Sequence, residues 1–147
     1  MDFDTSVKLN IYEMIARTTR MPTSADVASA MGSSVAEVEQ AFQRLYEKRL
    51  LVLEPESSSR IRMAPPFSGI ETQHRVKIEE KVYFANCAWD AFGIAAALNR
   101  DADIESTCGD CNEPLTFQIR EGKPLPQDCV VHFAVPAAQW WQDIIYT

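Results

Sequence analysis

The chain has 147 residues, 46% of them apolar and 24% charged, a globular composition and not a disordered or fibrous one. Fourteen Lys and Arg against twenty-one Asp and Glu leave a formal charge of −7, a field that repels phosphate and disfavours non-specific nucleic-acid binding. No apolar run approaches the roughly 20 residues needed to cross a bilayer, and the acidic start lacks the layout of a secretion signal, so no membrane association and a cytoplasmic location are expected.

In chain order, Val7, Ile11, Met14 and Ile15 form one apolar stripe, which predicts a helix over 4–19, before Pro22. Thr23 with Asp26, and Ser34 with Glu37, have the spacing of reciprocal capping boxes. They open a short helix stopped at Gly32 and a third helix over 34–48, with Val35, Val38, Phe42 and Leu45 inward. Leu50–Leu53 and Arg60–Met63 read as two strands around a polar turn. Three helices and a β-ribbon make a winged-helix-like unit over 1–63. Its third helix mixes Arg44, Lys48 and Arg49 with Glu37, Glu39 and Glu47. The first turns of that helix, which would enter a DNA groove, carry no basic residue. A packing module is therefore the better reading than a DNA reader.

Residues 64–72, with Pro65, Pro66 and Gly69, read as a linker. Beyond it, 73–147 alternates as an α+β unit, a small mostly antiparallel sheet packed with helices. Strands are expected at 74–78, 81–84, 103–107, 115–119 and 129–135. An apolar, Ala-rich helix is expected over 85–98, capped by Asn86, and an aromatic one over 137–146. Trp140 and Trp141 would point in different directions on it, and His132 would be an ordinary strand histidine rather than a ligand.

The chemistry sits in the second half, which holds all four cysteines: Cys87, Cys108, Cys111 and Cys129. In a reducing compartment they point to metal or thiolate chemistry rather than disulfides. Cys87 and Asp90 are three residues apart on one helical face, a nucleophile beside a proton carrier. The helix N-terminus is expected to lower the Cys87 pKa. A buried, inert cysteine is the bland alternative, weakened by the cost of burying Asp90 unpaired among apolar neighbours. Cys108-Gly109-Asp110-Cys111 is a C-x-x-C knuckle, open to soft-metal binding, dithiol redox or neither.

Tyr83-Phe84-Ala85-Asn86-Cys87-Ala88-Trp89-Asp90-Ala91-Phe92 resembles the active-site segment of the organomercurial (alkylmercury) lyases, an aromatic-rich strand followed by Cys-x-x-Asp. The helical unit before it, Cys108 after a strand, and Val130-Val131-His132-Phe133-Ala134-Val135-Pro136 fall in the family's order. The resemblance implies that Cys87 is a thiolate that binds an organomercurial and that Asp90 protonates the leaving carbon. Hydrocarbon and Hg(II) would be the products, the metal passing to thiol acceptors. Soft sulfur weakens the bond to soft mercury while protonation makes the leaving carbanion neutral.

No cofactor is required for such chemistry. The family's second catalytic cysteine would fall just past Thr147, unless Cys108, Cys111 or Cys129 replaces it near Cys87. Two alternatives stand beside the lyase. One is a non-catalytic module binding Hg(II) or Zn(II) through Cys87, Cys108, Cys111 and Cys129. The other is a winged-helix regulator that senses metal.

Overall fold

The computed structural model describes residues 1–145. Its first part is helical: α1 (Phe3–Thr18), α2 (Ser24–Met31) and α3 (Val35–Glu47). Both expected capping boxes are present. Thr23 and Ser34 each accept the backbone N–H three residues on, and Asp26 and Glu37 accept the N–H of the cap in return. The apolar stripes of the three helices converge on Val7, Ile11, Val27, Val38, Phe42 and Leu45, all at or near zero exposure.

Two basic residues at the end of α3 are tied to α1. Arg44 donates to the Asp4 carboxylate at 2.7 Å and Lys48 at 3.0 Å. These donors, Arg44 foremost, hold the Asp4 pKa below the usual carboxylate value. Asp4 is nearly buried, so its two cations serve the packing of α1 on α3.

β1 (Val52–Leu53) and β2 (Ile61–Ala64) form the expected ribbon, and a third strand extends it. β3 (Phe67–Ser68) lies antiparallel to β2, with Ala64 opposite Phe67. The segment expected to be a linker is thus structured and its centre is core: Ala64 is fully buried and Phe67 is 2% exposed. Pro and Gly there mark a tight reversal, not a tether. A Cβ on Gly69 would sit 2.7 Å from the Ile61 carbonyl oxygen, so only glycine allows this approach.

Phe67 also pairs with Ala85 in an isolated antiparallel bridge, and its ring meets Tyr12 of α1 and Tyr83 at 6.1 and 5.7 Å. Tyr12 donates to the Pro65 carbonyl and Tyr83 to the Ala16 carbonyl, each at 2.7 Å. One apolar core therefore runs through both halves of the chain.

The second half is an antiparallel five-stranded sheet with one helix on it. β4 (Arg75–Ile78), β5 (Lys81–Phe84), β6 (Ala102–Thr107), β7 (Pro114–Arg120) and β8 (Lys123–Leu125) stand in the order β5-β4-β6-β7-β8. α4 (Ala88–Leu98) packs on β4 and β6. Val76, Ile78, Ala102, Ile104, Phe117 and Ile119 face the core, the alternation expected of strands covered on one side. The fold is α+β throughout. Among the described residues no helix is long and apolar enough to cross a membrane.

Two expectations near the end of the chain fail. Residues 129–135 form no strand, because β8 already occupies the free edge of β7 and leaves this alternating segment without a partner. Its apolar side chains stay outside, Val130 at 91% exposure. The expected aromatic helix is a 3-10 helix over Ala137–Gln142, and Tyr146 lies outside the described residues. The two tryptophans do diverge. Trp140 packs on Phe133 at 5.1 Å and donates to the Val135 carbonyl, while the Arg49 guanidinium lies over Trp141 at 5.9 Å.

Phe67→Ala empties the joint between the two halves. It should cost about 3–5 kcal/mol, the usual loss for a buried Phe, read as a lower urea midpoint at unchanged slope. A change within error of zero would show that Phe67 does not join the core.

Candidate active site

β5 delivers the chain to the candidate site. Ala85, just past its end, is fully buried; its N–H donates to the His74 carbonyl, and its carbonyl accepts the Thr72 hydroxyl at 2.6 Å. Asn86 and Cys87 follow, and α4 begins. Cys87, not Asn86, is the N-cap. It has extended φ/ψ, its carbonyl accepts the first helical bond from Ala91, and its Sγ accepts the Asp90 N–H at 3.5 Å. Asn86 instead uses its amide nitrogen on the acid. Nδ2 donates to Asp90 Oδ2 at 3.0 Å and lies within 3.3 and 3.4 Å of the Pro66 and Phe67 carbonyls.

The helix start is held from below as well. A Cβ on Gly93 would lie 3.2 Å from the Pro66 ring, so α4 rests closely on the Pro65–Pro66 turn. The same turn orients Asn86, and through it the Asp90 carboxyl.

Burial dominates the electrostatics here. Cys87 is half-buried, and loss of water raises its pKa. The N–H groups of Asp90 and Trp89 pull it back, while the Asp90 charge pushes it further up. The lowering expected from the helix N-terminus is present as a component and is outweighed. Burial likewise raises Asp90, against the Asn86 amide and the Cys87 thiol, which both favour the carboxylate. The resting pair is therefore a protonated thiol beside a carboxylate that readily accepts a proton. The negative field reaches Tyr12, whose pKa burial and the Asp90 charge push up to about 12.

The other three cysteines stand apart from this pair. Cys108 and Cys111 belong to the turn between β6 and β7, and Cys129 lies on the exposed segment that follows β8. All four thiols are free. Among the described residues no three His, Cys, Asp or Glu side chains gather as a metal group, so the expected four-thiol site of Cys87, Cys108, Cys111 and Cys129 is not formed. A half-buried helix cap, a hairpin turn and an outer loop do not bring their sulfurs to one point.

A groove of about 940 Å³ runs beside α4. Ala88, Trp89 and Phe92 line it from the helix, Cys108 from the hairpin, and Cys129 and Phe133 from the outer segment. Cys87 is not on its wall, but the next two residues are. His132 is exposed along the same groove. The half-buried histidine is His74, whose Nδ1 meets the Ser106 hydroxyl at 2.7 Å and whose pKa partial burial lowers.

Tyr12 and the orienting role of Asn86 were missed from sequence. The i to i+4 spacing of Asn86 and Asp90 could have exposed the second; nothing local marks Tyr12, which arrives from α1.

This fold recurs in a solved structure described as the mercury-bound form of MerB2, with a TM-score of 0.60 and 22% identity over 84% of this chain and 68% of that one. Alkylmercury lyases of Bacillus cereus and Clostridium butyricum are each 26% identical to it over 117 residues, 78% of this chain and 51% of theirs. The chain thus spans about half the length of these curated relatives. The family model of MerB, alkylmercury lyase, matches residues 67–147, more than half of the chain and all of the α4 site. The chain belongs to the alkylmercury lyase family.

Differential alkylation followed by mass spectrometry should show Cys87 titrating above an ordinary thiol and Asp90→Asn moving it downward, since the carboxylate charge is removed. A Cys87 that titrates below the ordinary value would contradict the dominance of burial.

Proposed function

We propose that this chain cleaves the carbon–mercury bond of small organomercurials, with Cys87 as the capturing sulfur and Asp90 as the proton donor. The observation that supports this most is a half-buried thiol at the first turn of α4 whose sulfur accepts the backbone N–H of Asp90, itself half-buried with its carboxyl held by Asn86, in a member of this family. Residues 73–147 would carry the chemistry. Residues 1–63 would act as a winged-helix-like packing unit, consistent with Arg44 and Lys48 being held by Asp4.

The steps follow from the resting protonation. The Cys87 sulfur forms a bond to the mercury of R–Hg–X, X⁻ departs, and the thiol proton passes to Asp90. A further thiolate, supplied in solution by a small thiol, adds to mercury and loads electron density onto the carbon. Asp90 then delivers its proton to that carbon as the C–Hg bond breaks, releasing R–H. Hg(II) remains on two sulfurs until thiol acceptors remove it. No electron is gained or lost, and no cofactor enters. Asn86 keeps the acid aimed at the sulfur throughout, and Asp90 recovers its negative charge beside the metal.

The pair works with one proton shared between its two groups, so hydrocarbon release should be bell-shaped in pH. Below the raised pKa of Asp90 both groups are protonated and capture slows. Above the raised pKa of Cys87 both are empty and no proton is left for the carbon. Activity is thus lost as pH rises through the folded thiol value.

The test is headspace gas chromatography of hydrocarbon released from an organomercurial by reduced protein with a small thiol present. Cys87→Ser should abolish release. Asp90→Asn should slow it by about 10²–10⁴-fold, the usual weight of a general acid, while mercury still binds at Cys87. Absence of release from the intact chain, or full activity in Asp90→Asn, would overturn the proposal.

A further inference from the structure

The turn between β6 and β7 holds a second pair of thiols that the Cys87 chemistry does not use. The turn is closed by two backbone bonds, Cys108 N–H to the Glu113 carbonyl at 2.9 Å and Asn112 N–H to the Cys108 carbonyl at 3.0 Å. Asn112 takes the left-handed conformation at φ 63° that lets the chain reverse this tightly. Cys108 and Cys111 stand three residues apart within this closed turn. Both thiols are therefore carried on one braced hairpin, one half-buried and one open to solvent.

We propose that Cys108 and Cys111 form a binding site for a single soft, two-coordinate cation, an acceptor for the Hg(II) that the reaction at Cys87 releases. The identity of the cation rests on the lyase reading; the pairing of the thiols does not. The ligand number argues for this class of metal. Zinc in a structural site takes four ligands, and among the described residues no third His, Cys, Asp or Glu joins the pair. Hg(II) is satisfied by two thiolates, and soft sulfur selects soft metals.

The surroundings add a route. Cys108 stands on the wall of the groove that begins at Ala88 and Trp89, the two residues after Cys87. Thr107 Oγ1, also on that wall, is buried without a hydrogen-bond partner. A cation leaving Cys87 thus has this groove, and a thiol along it, close at hand. Transfer breaks the two S–Hg bonds to Cys87 and the small thiol and forms two to Cys108 and Cys111, whose two S–H protons are balanced by reprotonation of the released sulfurs. No net proton is released, and neither sulfur nor metal changes oxidation state.

The experiment uses the full chain carrying Cys87→Ser and Cys129→Ser, so that only this pair remains. Serine at 87 preserves the helix cap, and Cys129 is exposed; circular dichroism checks the fold. Reduced protein is titrated with mercuric chloride against a competing monothiol, then alkylated and weighed by mass spectrometry. One Hg(II) per chain with both thiols protected is expected. Adding Cys111→Ser should weaken retention by about 10²–10⁴-fold, the gain that linking two donors gives. Zinc chloride in a parallel titration should protect neither thiol.

Two Hg(II) per chain, one thiol protected, chains joined through mercury, or equal retention by the Cys111→Ser variant would each overturn the inference. Hydrocarbon release by the otherwise native Cys108→Ser/Cys111→Ser chain separates the two claims. Release with no paired binding removes this site and leaves the lyase reading. Paired binding with no release from the native chain does the reverse.

Discussion

The arrangement depends on how the first turn of α4 is fastened to the Pro66–Phe67 backbone. Phe67 bridges to Ala85, the Pro66 and Phe67 carbonyls lie at the Asn86 amide, and Pro66 lies under Gly93. These contacts fix a backbone that enters the helix extended at Cys87, and they leave the Asn86 nitrogen facing Asp90. A free helix terminus would let the acid swing to solvent, where its proton affinity would be ordinary. Fastened, it stays half-buried beside the sulfur, and burial raises both groups' preference for a proton.

That preference explains why a thiol whose pKa is raised is compatible with metal capture. A half-buried sulfur kept protonated is quiet toward adventitious oxidants. In the proposed reaction a soft metal would change the balance locally, the S–Hg bond replacing the S–H bond and the adjacent carboxylate taking the displaced proton. The charge never has to exist alone on sulfur in a low-dielectric setting, the state that burial makes costly. The helix N-terminus and the acid thus act in sequence on the same electron pairs.

Local grammar was legible in the sequence, and distant packing was not. The capping boxes at Thr23 and Ser34, the stripes of α1–α3 and the alternation of β4–β7 are short-range patterns, found where expected except for Val35, expected inward on α3 but 43% exposed. Cys87 and Asp90 were readable as a pair because three residues of helix join them. The helix cap slipped by one residue, since Asn86 is the better capping residue by preference but has a stronger use against Asp90.

The direction of the Cys87 pKa was misjudged because burial comes from what packs on α4, such as β4 and the Pro66 ring, neither adjacent to it in sequence. The supposed linker misled for the same reason: its composition says turn, and only tertiary contact reveals that Phe67 is core. Residues 129–135 show the reverse error, an alternation without a neighbouring edge to pair with.

Cysteine is an unusual helix cap, since sulfur is a larger and weaker acceptor than a serine or aspartate oxygen. At 3.5 Å from the Asp90 amide it closes the helix only loosely. A tighter knot would have bound the donor orbital to its own backbone; this slack one leaves it at liberty, so a modest sacrifice in helix fastening becomes availability toward an incoming metal.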